Sequence, residues 1–455
     1  MIAFKPVLLW SDILLLALLI SIALAGAWAA GQEHLRTAWA KVGHSRAGLA
    51  AATLLAGFVL VGVVDSLHYR PLLPGKEGKP GVYSVEVLSA LDALLAGLRG
   101  RNERTYSAPL ATHLYAKESV EGQEGSAAGR EFPRLKHGGA HLGTDLDRHA
   151  ADLAASAFRG LALGLAAWLP LAMVFAILKR RHPETAWEAV SATLLAFALV
   201  AGPAAALATG YHVFGTDKVG QDVLYLTLKS IRTGLLIGTL TTLIMLPAAV
   251  LLGILAGYLG GWVDDLIQYL YTTLNSIPGV LLIAAAVLMM QVLIDTHPEA
   301  FATAADRADA RLLALCAIMG VTSWTGLCRL LRGETLKLRE MDYIQAARAF
   351  GVGRLAIMLR HILPNVMHIV IIALVMDFSG LVLAEAVLSY VGIGVDPNTV
   401  SFGTMIDAAR MELAREPMVW WSLAAAFCFM FALVLSANLF SDAVRDAFDP
   451  RMSHR

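Results

Sequence analysis

Nine apolar stretches dominate the chain, near residues 8–30, 47–64, 160–178, 187–209, 232–258, 266–294, 311–330, 366–392 and 418–440. Crossing a bilayer's hydrocarbon core as a helix takes about 20 mostly apolar residues, and each stretch is near or above that length. Trp10, Trp168, Trp187, Trp262, Trp420 and Trp421 fall at or near the ends of these runs, where aromatic anchors sit at a membrane interface. The pattern predicts an all-α polytopic membrane protein with about nine transmembrane helices. One long polar segment, 65–158, interrupts it. There Leu88, Leu91, Leu95 and Leu98 repeat at helical spacing behind Ser84, which predicts an amphipathic helix with Ser84 as its N-cap. Residues 117–140, rich in Gly, Lys and Glu, read as a flexible loop.

Composition narrows the class. The chain has 455 residues, 57% hydrophobic and 16% charged, and a mean hydropathy of +0.63. That excludes an ordinary soluble enzyme and a disordered chain. Lys+Arg 36 balances Asp+Glu 36, so net charge draws no nucleic acid. Sorted by loop, the charges are informative. Loop 31–46 carries Arg36, Lys41 and Arg46 against Glu33, and the next short basic loop carries Lys179, Arg180 and Arg181. Loop 329–361 holds seven Arg and Lys residues against Glu334, Glu340 and Asp342. Loops 295–311 and 396–416 are acidic. Basic loops face the cytoplasm, which puts the N-terminus outside, the C-terminus inside and 65–158 extracytoplasmic. A rival reads Lys5, the first apolar run and Ala27-Trp28-Ala29 as a signal peptide; cleavage would invert every later loop, and the run is long for that role.

Chemistry-bearing patterns are sparse. Cys316, Cys328 and Cys428 lie in apolar stretches without metal-ligand spacing. His113, His137, His141 and His149 read as surface histidines, because Gly138-Gly139 breaks the helix that would align them. Gly75-Lys76-Glu77-Gly78-Lys79-Pro80 has neither the spacing nor the hydroxyl of a phosphate loop. No catalytic constellation and no metal site is expected. Asp377 and Glu385 lie inside an apolar run, where ionisable groups are costly and mark function by default. Asp12 reads as an interfacial side chain that snorkels. Asn275, Ser276 and Pro278 break the run 266–294, a place where backbone carbonyls become available along a pathway.

The richest segment is Asp342–Gly351. Tyr343, Ala346, Ala347 and Phe350 form one apolar stripe, Asp342 and Gln345 make a capping-box-like start, and Gly351 is placed to end the helix. His361-Ile362-Leu363-Pro364-Asn365 follows and leads into the next span. A short capped helix in a basic cytoplasmic loop is made to dock in another protein's groove; the plainer alternative is a helix lying on lipid headgroups.

These residues resemble the coupling loop of permease subunits in bacterial ABC importers, and residues 212–451 resemble the dipeptide, oligopeptide and nickel branch. The similar stretches come in family order. They are Gly215-Thr216-Asp217 with Gly220-Gln221-Asp222, then Gly257–Asp264, Gln345–Pro364, Glu385–Gly394, and Asn438 through Asp449-Pro450-Arg451. The resemblance implies a multi-pass inner-membrane permease pairing with a second homologous permease. Two cytoplasmic ATPase subunits would bind ATP and Mg, this chain binding no cofactor, and an extracytoplasmic binding protein would deliver peptides or similar solutes. The helix 342–351 would couple the ATPase to the spans through Tyr343, Gln345, Ala346, Ala347, Phe350, Gly351 and Pro364. Gly215, Thr216, Asp217, Gly220 and Asp222 would form an extracytoplasmic motif, and Asn275, Asp377 and Glu385 are candidates for the pathway. Two positions depart from the family: Gln345 stands for its usual Glu and Gln221 for its usual Arg.

The organisation expected is two extra spans in 1–64, the extracytoplasmic loop 65–158, an extra span and basic loop in 159–186, and a six-helix permease core in 187–455 with coupling loop 331–365. His141-Leu142-Gly143-Thr144-Asp145 echoes Phe214-Gly215-Thr216-Asp217, a degenerate repeat or a coincidence of three residues. A rival function is a secondary transporter driven by protons through Asp377 and Glu385; an outer-face enzyme built on loop 65–158 lacks any catalytic constellation.

Overall fold

The computed structural model describes residues 4–73, 82–119, 130–301 and 303–448. Gly75–Pro80, the middle of loop 117–140 and Asp449-Pro450-Arg451 lie outside the described residues. Strand β1 (Phe4–Val7) leads into α1 (Trp10–Ala30), α2 (Glu33–His44) and α3 (Arg46–Asp65). β2 (His68–Leu73), β3 (Val82–Tyr83) and β4 (Leu88–Ser89) precede the short α4 (Ala90–Leu94) and α5 (Ala96–Arg99). β5 (Glu118–Ser119) and β6 (Arg130–Glu131) flank the undescribed part of the loop. α6 (His149–Arg181), α7 (Trp187–Leu207) and α8 (Val223–Leu259) are long helices. α9 (Gly261–Ser276), α10 (Gly279–Thr296), α11 (Ala304–Ser323), α12 (Thr325–Arg339), α13 (Asp342–Ala349) and α14 (Arg354–Ile357) follow. α15 (Leu363–Tyr390), α16 (Phe402–Leu413) and α17 (Trp421–Phe448) complete the described chain.

Eight helical stretches among the described residues are long and apolar enough to cross a membrane, and α1 adds a shorter apolar run, Trp10–Leu24. The expected single span 266–294 is two elements. Pro278 has no N–H to donate and pushes Ile277 to extended backbone (φ −94°, ψ 131°), so α9 stops and α10 starts afresh. Crossing length belongs to α10 alone.

The chain divides into two compact units. One comprises residues 1–8, 40–233 and 399–436. Its β1 pairs antiparallel with β2, Lys5 opposite Arg70, and β4 pairs with the start of β2. The amphipathic helix expected from Ser84 begins instead at Ser89. Leu88 is drawn into pairing with Tyr69, and Ser84 Oγ is occupied by the Glu86 N–H at 3.1 Å. Ser89 and Asp92 cap α4 reciprocally, in a capping box. α6 packs on α7 through Gly160 and Gly164, which meet Gly202 and Ala198, the close packing that helices use within a membrane. α3 joins α8 through a polar cluster: Lys229 Nζ lies 2.6 Å from Asp92 Oδ1 and 3.4 Å from Asp65 Oδ1. Ser89 Oγ donates to Asp65, and Tyr225 OH to Asp92, each at 2.6 Å. The two Gly-Thr-Asp segments are built differently. His141–Asp145 forms short 3₁₀ turns with Thr144 exposed, whereas Thr216 is fully buried and bridged to Asp222.

The other unit comprises residues 9–39, 234–398 and 437–455. One apolar cluster gathers Leu236, Leu240, Leu312, Met319, Leu381 and Leu388 from α8, α11 and α15. A second gathers Ile254, Tyr258, Leu331, Ile344, Ile357 and Val366. Asp12 is fully buried rather than snorkelling, and the backbone beside it is tied down: Ser11 N donates to Asp309 Oδ2 at 3.2 Å. Cys316 and Cys328 are buried; Cys428, in the first unit, is exposed.

Candidate functional site

The loop 331–365 is built on α12. Arg332 clamps Asp264 of the Gly-Gly-Trp-Val-Asp stretch with two hydrogen bonds, Nε to Oδ1 at 2.5 Å and Nη2 to Oδ2 at 2.7 Å. That bidentate fork fixes where α12 stands against α9. The chain then turns at Met341 (φ −72°, ψ 141°), and α13 begins.

The N-terminal cap of α13 differs from the sequence reading. Met341 occupies the cap position and makes no side-chain bond, while Asp342 is already inside the first turn. There its charge favours the helix through the dipole rather than through a cap. Gln345 Nε2 turns to the Glu340 carbonyl at 3.2 Å, so no capping box forms.

The helix end follows the sequence signal. Gly351 takes φ +77°, and its N–H donates to Arg348 O at 3.1 Å while Val352 N–H donates to Ala347 O at 3.1 Å. These two bonds make a Schellman motif, which calls for a left-handed residue that only glycine adopts without strain.

The expected stripe of Tyr343, Ala346, Ala347 and Phe350 is divided. Ile344 is 1% exposed and, with Ala347 beside it, anchors α13 in the cluster of Leu331 and Ile357. Tyr343, Gln345, Ala346 and Phe350 face outward, Phe350 at 88% exposure. Sequence reading missed Ile344, although its i, i+3 spacing to Ala347 is the signal of an inward face. Asn365 steadies the outer face, its Nδ2 donating to Tyr343 OH at 3.2 Å and to His361 O at 2.6 Å. Pro364 sits in the first turn of α15, directly after a π-turn at Met358–Ile362. The wider turn accommodates the N–H that proline lacks. Arg348, Arg354 and Arg360 are exposed, with no ion-pair partner among the described residues.

The Gly-Thr-Asp segment is a second construction. Thr216 Oγ1 accepts from Ser107 N at 2.7 Å and donates to Thr105 O at 2.9 Å. Asp217 Oδ1 accepts from Val219 N and Gln221 N, closing a tight turn. At Gly220 (φ +77°) a Cβ would overlap the Glu103 carbonyl, so glycine is required on both counts. Asp222 caps α8 through Leu224 N at 2.9 Å, and its other oxygen takes a bond from His212 Nδ1 at 2.8 Å. His212 Nε2 faces Glu103 Oε1 at 3.4 Å, and Glu103 also accepts from Lys136 N and His137 N. Burial opposes charge on His212, but the two carboxylates outweigh it and hold the imidazole at about 9. Burial likewise opposes charge on Glu103, yet His212 and three backbone N–H groups bring it down to about 2. Trp421 Nε1 donates to Thr216 O at 3.0 Å, Tyr106 OH to Glu412 Oε1 at 3.3 Å, and Tyr115 OH to Met418 O at 3.2 Å. The polar residues 103–115 are therefore fastened to the motif and to the residues around α16. Glu103 and His212 had no place in the sequence reading, and 109 residues separate them.

The pathway candidates stand apart from one another. Asn275 Oδ1 accepts from Thr325 Oγ1 at 3.0 Å. Asp377 is half-buried on α15, with no hydrogen-bond or ion-pair partner among the described residues. Glu385 is buried and accepts from Ser389 Oγ at 2.7 Å. His141 and His149 take separate partners, Asp152 Oδ2 at 2.8 Å and Leu110 O at 3.0 Å.

Residues 249–454 match the family model described as the binding-protein-dependent transport system inner membrane component. An oligopeptide transport system permease protein from Mycobacterium tuberculosis is 32% identical over 239 residues, covering 52% of this chain and 76% of the relative. The chain belongs to that family of inner-membrane transport components. A dipeptide transport system permease protein from Lactococcus lactis is 30% identical over 242 residues, 53% of this chain and 64% of its own. A glutathione transport system permease protein from Pectobacterium atrosepticum is 31% identical over 243 residues, 53% of this chain and 73% of its own. The chain is thus a multi-pass permease component of an ABC importer, working in the inner membrane with ATPase and binding-protein components. Membership does not favour the proton-driven alternative.

Proposed function

We propose that this permease imports peptides or related small solutes into the cytoplasm by alternating access, paired with a second homologous permease. Two cytoplasmic ATPase subunits hold the ATP and Mg, and α13 passes their closure to the spans. The observation that carries this reading is the two-sided build of α13. Ile344 and Ala347 fix it to the permease, while Tyr343 and Phe350 are presented outward. An aromatic pair held out on a rigid, capped helix is a hot-spot anchor awaiting a pocket. The relatives named for oligopeptide, dipeptide and glutathione transport support the substrate class.

The test is Phe350→Glu in the assembled importer. A charge in an apolar docking pocket costs about 2 kcal/mol or more, so uptake of a labelled peptide should fall at least about thirtyfold while the permease still inserts in the membrane. Wild-type uptake with this substitution would sink the coupling role of α13. Competition of labelled uptake by unlabelled dipeptide, longer peptide or nickel chelate separates the substrates.

A further inference from the structure

Two basic loops far apart in sequence meet in the first compact unit. The Ala186 N–H donates to the Gly43 carbonyl at 3.0 Å, and His44 Nε2 lies 3.6 Å from Glu184 Oε2. This joins the end of α2 and the start of α3 to the turn between α6 and α7. Lys41, Arg46, Lys179, Arg180 and Arg181 are brought to this one end, with Glu184 and Glu188 as the nearby acids. Both acids are engaged, Glu184 by His44 and Glu188 by Lys179, with Arg46 adding a weaker attraction to Glu188. Lys41, Arg46, Arg180 and Arg181 are exposed and have no ion-pair partner among the described residues.

What faces these cations follows from the helices that carry them. α3, α6 and α7 are each long and apolar enough to span, and all three have an end here. Only 6% of the apolar window of α6, and the same share of α7, is buried in the protein, so their flanks face lipid. The cations therefore stand at the level where a bilayer's hydrocarbon gives way to phosphate. The last turn of α2 presents Lys41 and His44 outward at the same surface and turns Val42 inward. Trp187, stacked on Phe175 with ring centroids 5.9 Å apart, adds an interfacial aromatic.

We infer that this end of the N-terminal extension is a binding site for the headgroups of anionic phospholipids. It goes beyond the transport reading and does not depend on it. Clustered cations beside spanning helices attract anionic lipid by about 1 kcal/mol each, or roughly fivefold in relative affinity per cation.

The full permease, assembled with its transport partners, is reconstituted in phosphatidylcholine bilayers containing spin-labelled phosphatidylglycerol. The preference over spin-labelled phosphatidylcholine is read from the motionally restricted signal. Lys41→Gln/Arg46→Gln/Arg180→Gln/Arg181→Gln should reduce that preference at least about fivefold. Arg104→Gln/Lys117→Gln/Arg130→Gln/Lys218→Gln, which removes as many exposed cations from the segments around the Gly-Thr-Asp motif, should leave it unchanged. The charge-conserving Arg46→Lys/Arg180→Lys/Arg181→Lys should retain it, which guards against misfolding of the neutral variant. An unchanged preference in the first variant, or an equal loss in the second, would overturn the proposal. So would displacement of the labelled lipid by millimolar inorganic phosphate, which would make the site one for the free anion.

Discussion

His212 is the residue on which the Gly-Thr-Asp construction turns. Its folded-state value of about 9 lies above the ordinary 6.5, so its contribution to stability is complete below 6.5 and is lost as pH rises through 9. Glu103, at about 2 against 4.5, contributes fully above 4.5 and loses that contribution as pH falls through 2. Both are complete between 4.5 and 6.5. Limited proteolysis of the 82–119 segment in membranes should be slowest in that window and quicken toward pH 9. His212→Ala leaves two buried carboxylates without their cation, a loss of about 3–5 kcal/mol, seen as a lowered thermal midpoint. At the end of α13, Gly351→Ala forces a Cβ into left-handed backbone and costs about 1–2 kcal/mol. Hydrogen exchange across 342–352 should report it as faster exchange of the Val352 amide. Gly351 was legible because helix ends have a local signature. Glu103 and His212 were not, because each gains its meaning only from a partner about a hundred residues away.

Among elements, the spans were readable from length and apolarity, and their interruptions from proline. What escaped was competition between neighbouring structures. Leu88 fits a helical repeat, yet it pairs in a strand, because β2 offers its backbone partners that the isolated segment lacks. Asp342 fits a helix cap, yet the turn at Met341 places it one position inside. The join between α3, α4 and α8 makes a prediction at this scale. Lys229→Met would strand Asp65 and Asp92, both buried, at a cost of about 3–5 kcal/mol. Cleavage of the 66–89 connection by added protease should accelerate accordingly. Changing Asp65 and Asp92 to Asn in the same chain should recover most of the loss.

For the molecule, the family model matches residues 249–454, and more than half of the chain lies before them. Sequence similarity covers the later part; hydrogen bonds tie the earlier part to it. Ser107, Glu103, Tyr106 and Tyr115 fasten the extension to the motif and to the residues flanking α16. A chain reduced to residues 187–455 would leave His212, Thr216 and Glu412 without those partners. Membrane yield of that fragment should fall well below that of the full chain, and co-expression of residues 1–186 as a separate piece should restore part of it. Equal yield from the fragment alone would show the extension to be dispensable for folding.

The thiols offer a different use of the same architecture. With Cys316 and Cys328 shielded by packing, Cys428, exposed on the membrane-spanning α17, is the one that a membrane-permeant maleimide can reach without unfolding the chain. Cys428→Ser therefore leaves a protein silent to thiol labelling in its native state. A nitroxide placed at position 350 by Phe350→Cys would then report alone, and its spectrum would broaden on the day the ATPase arrives.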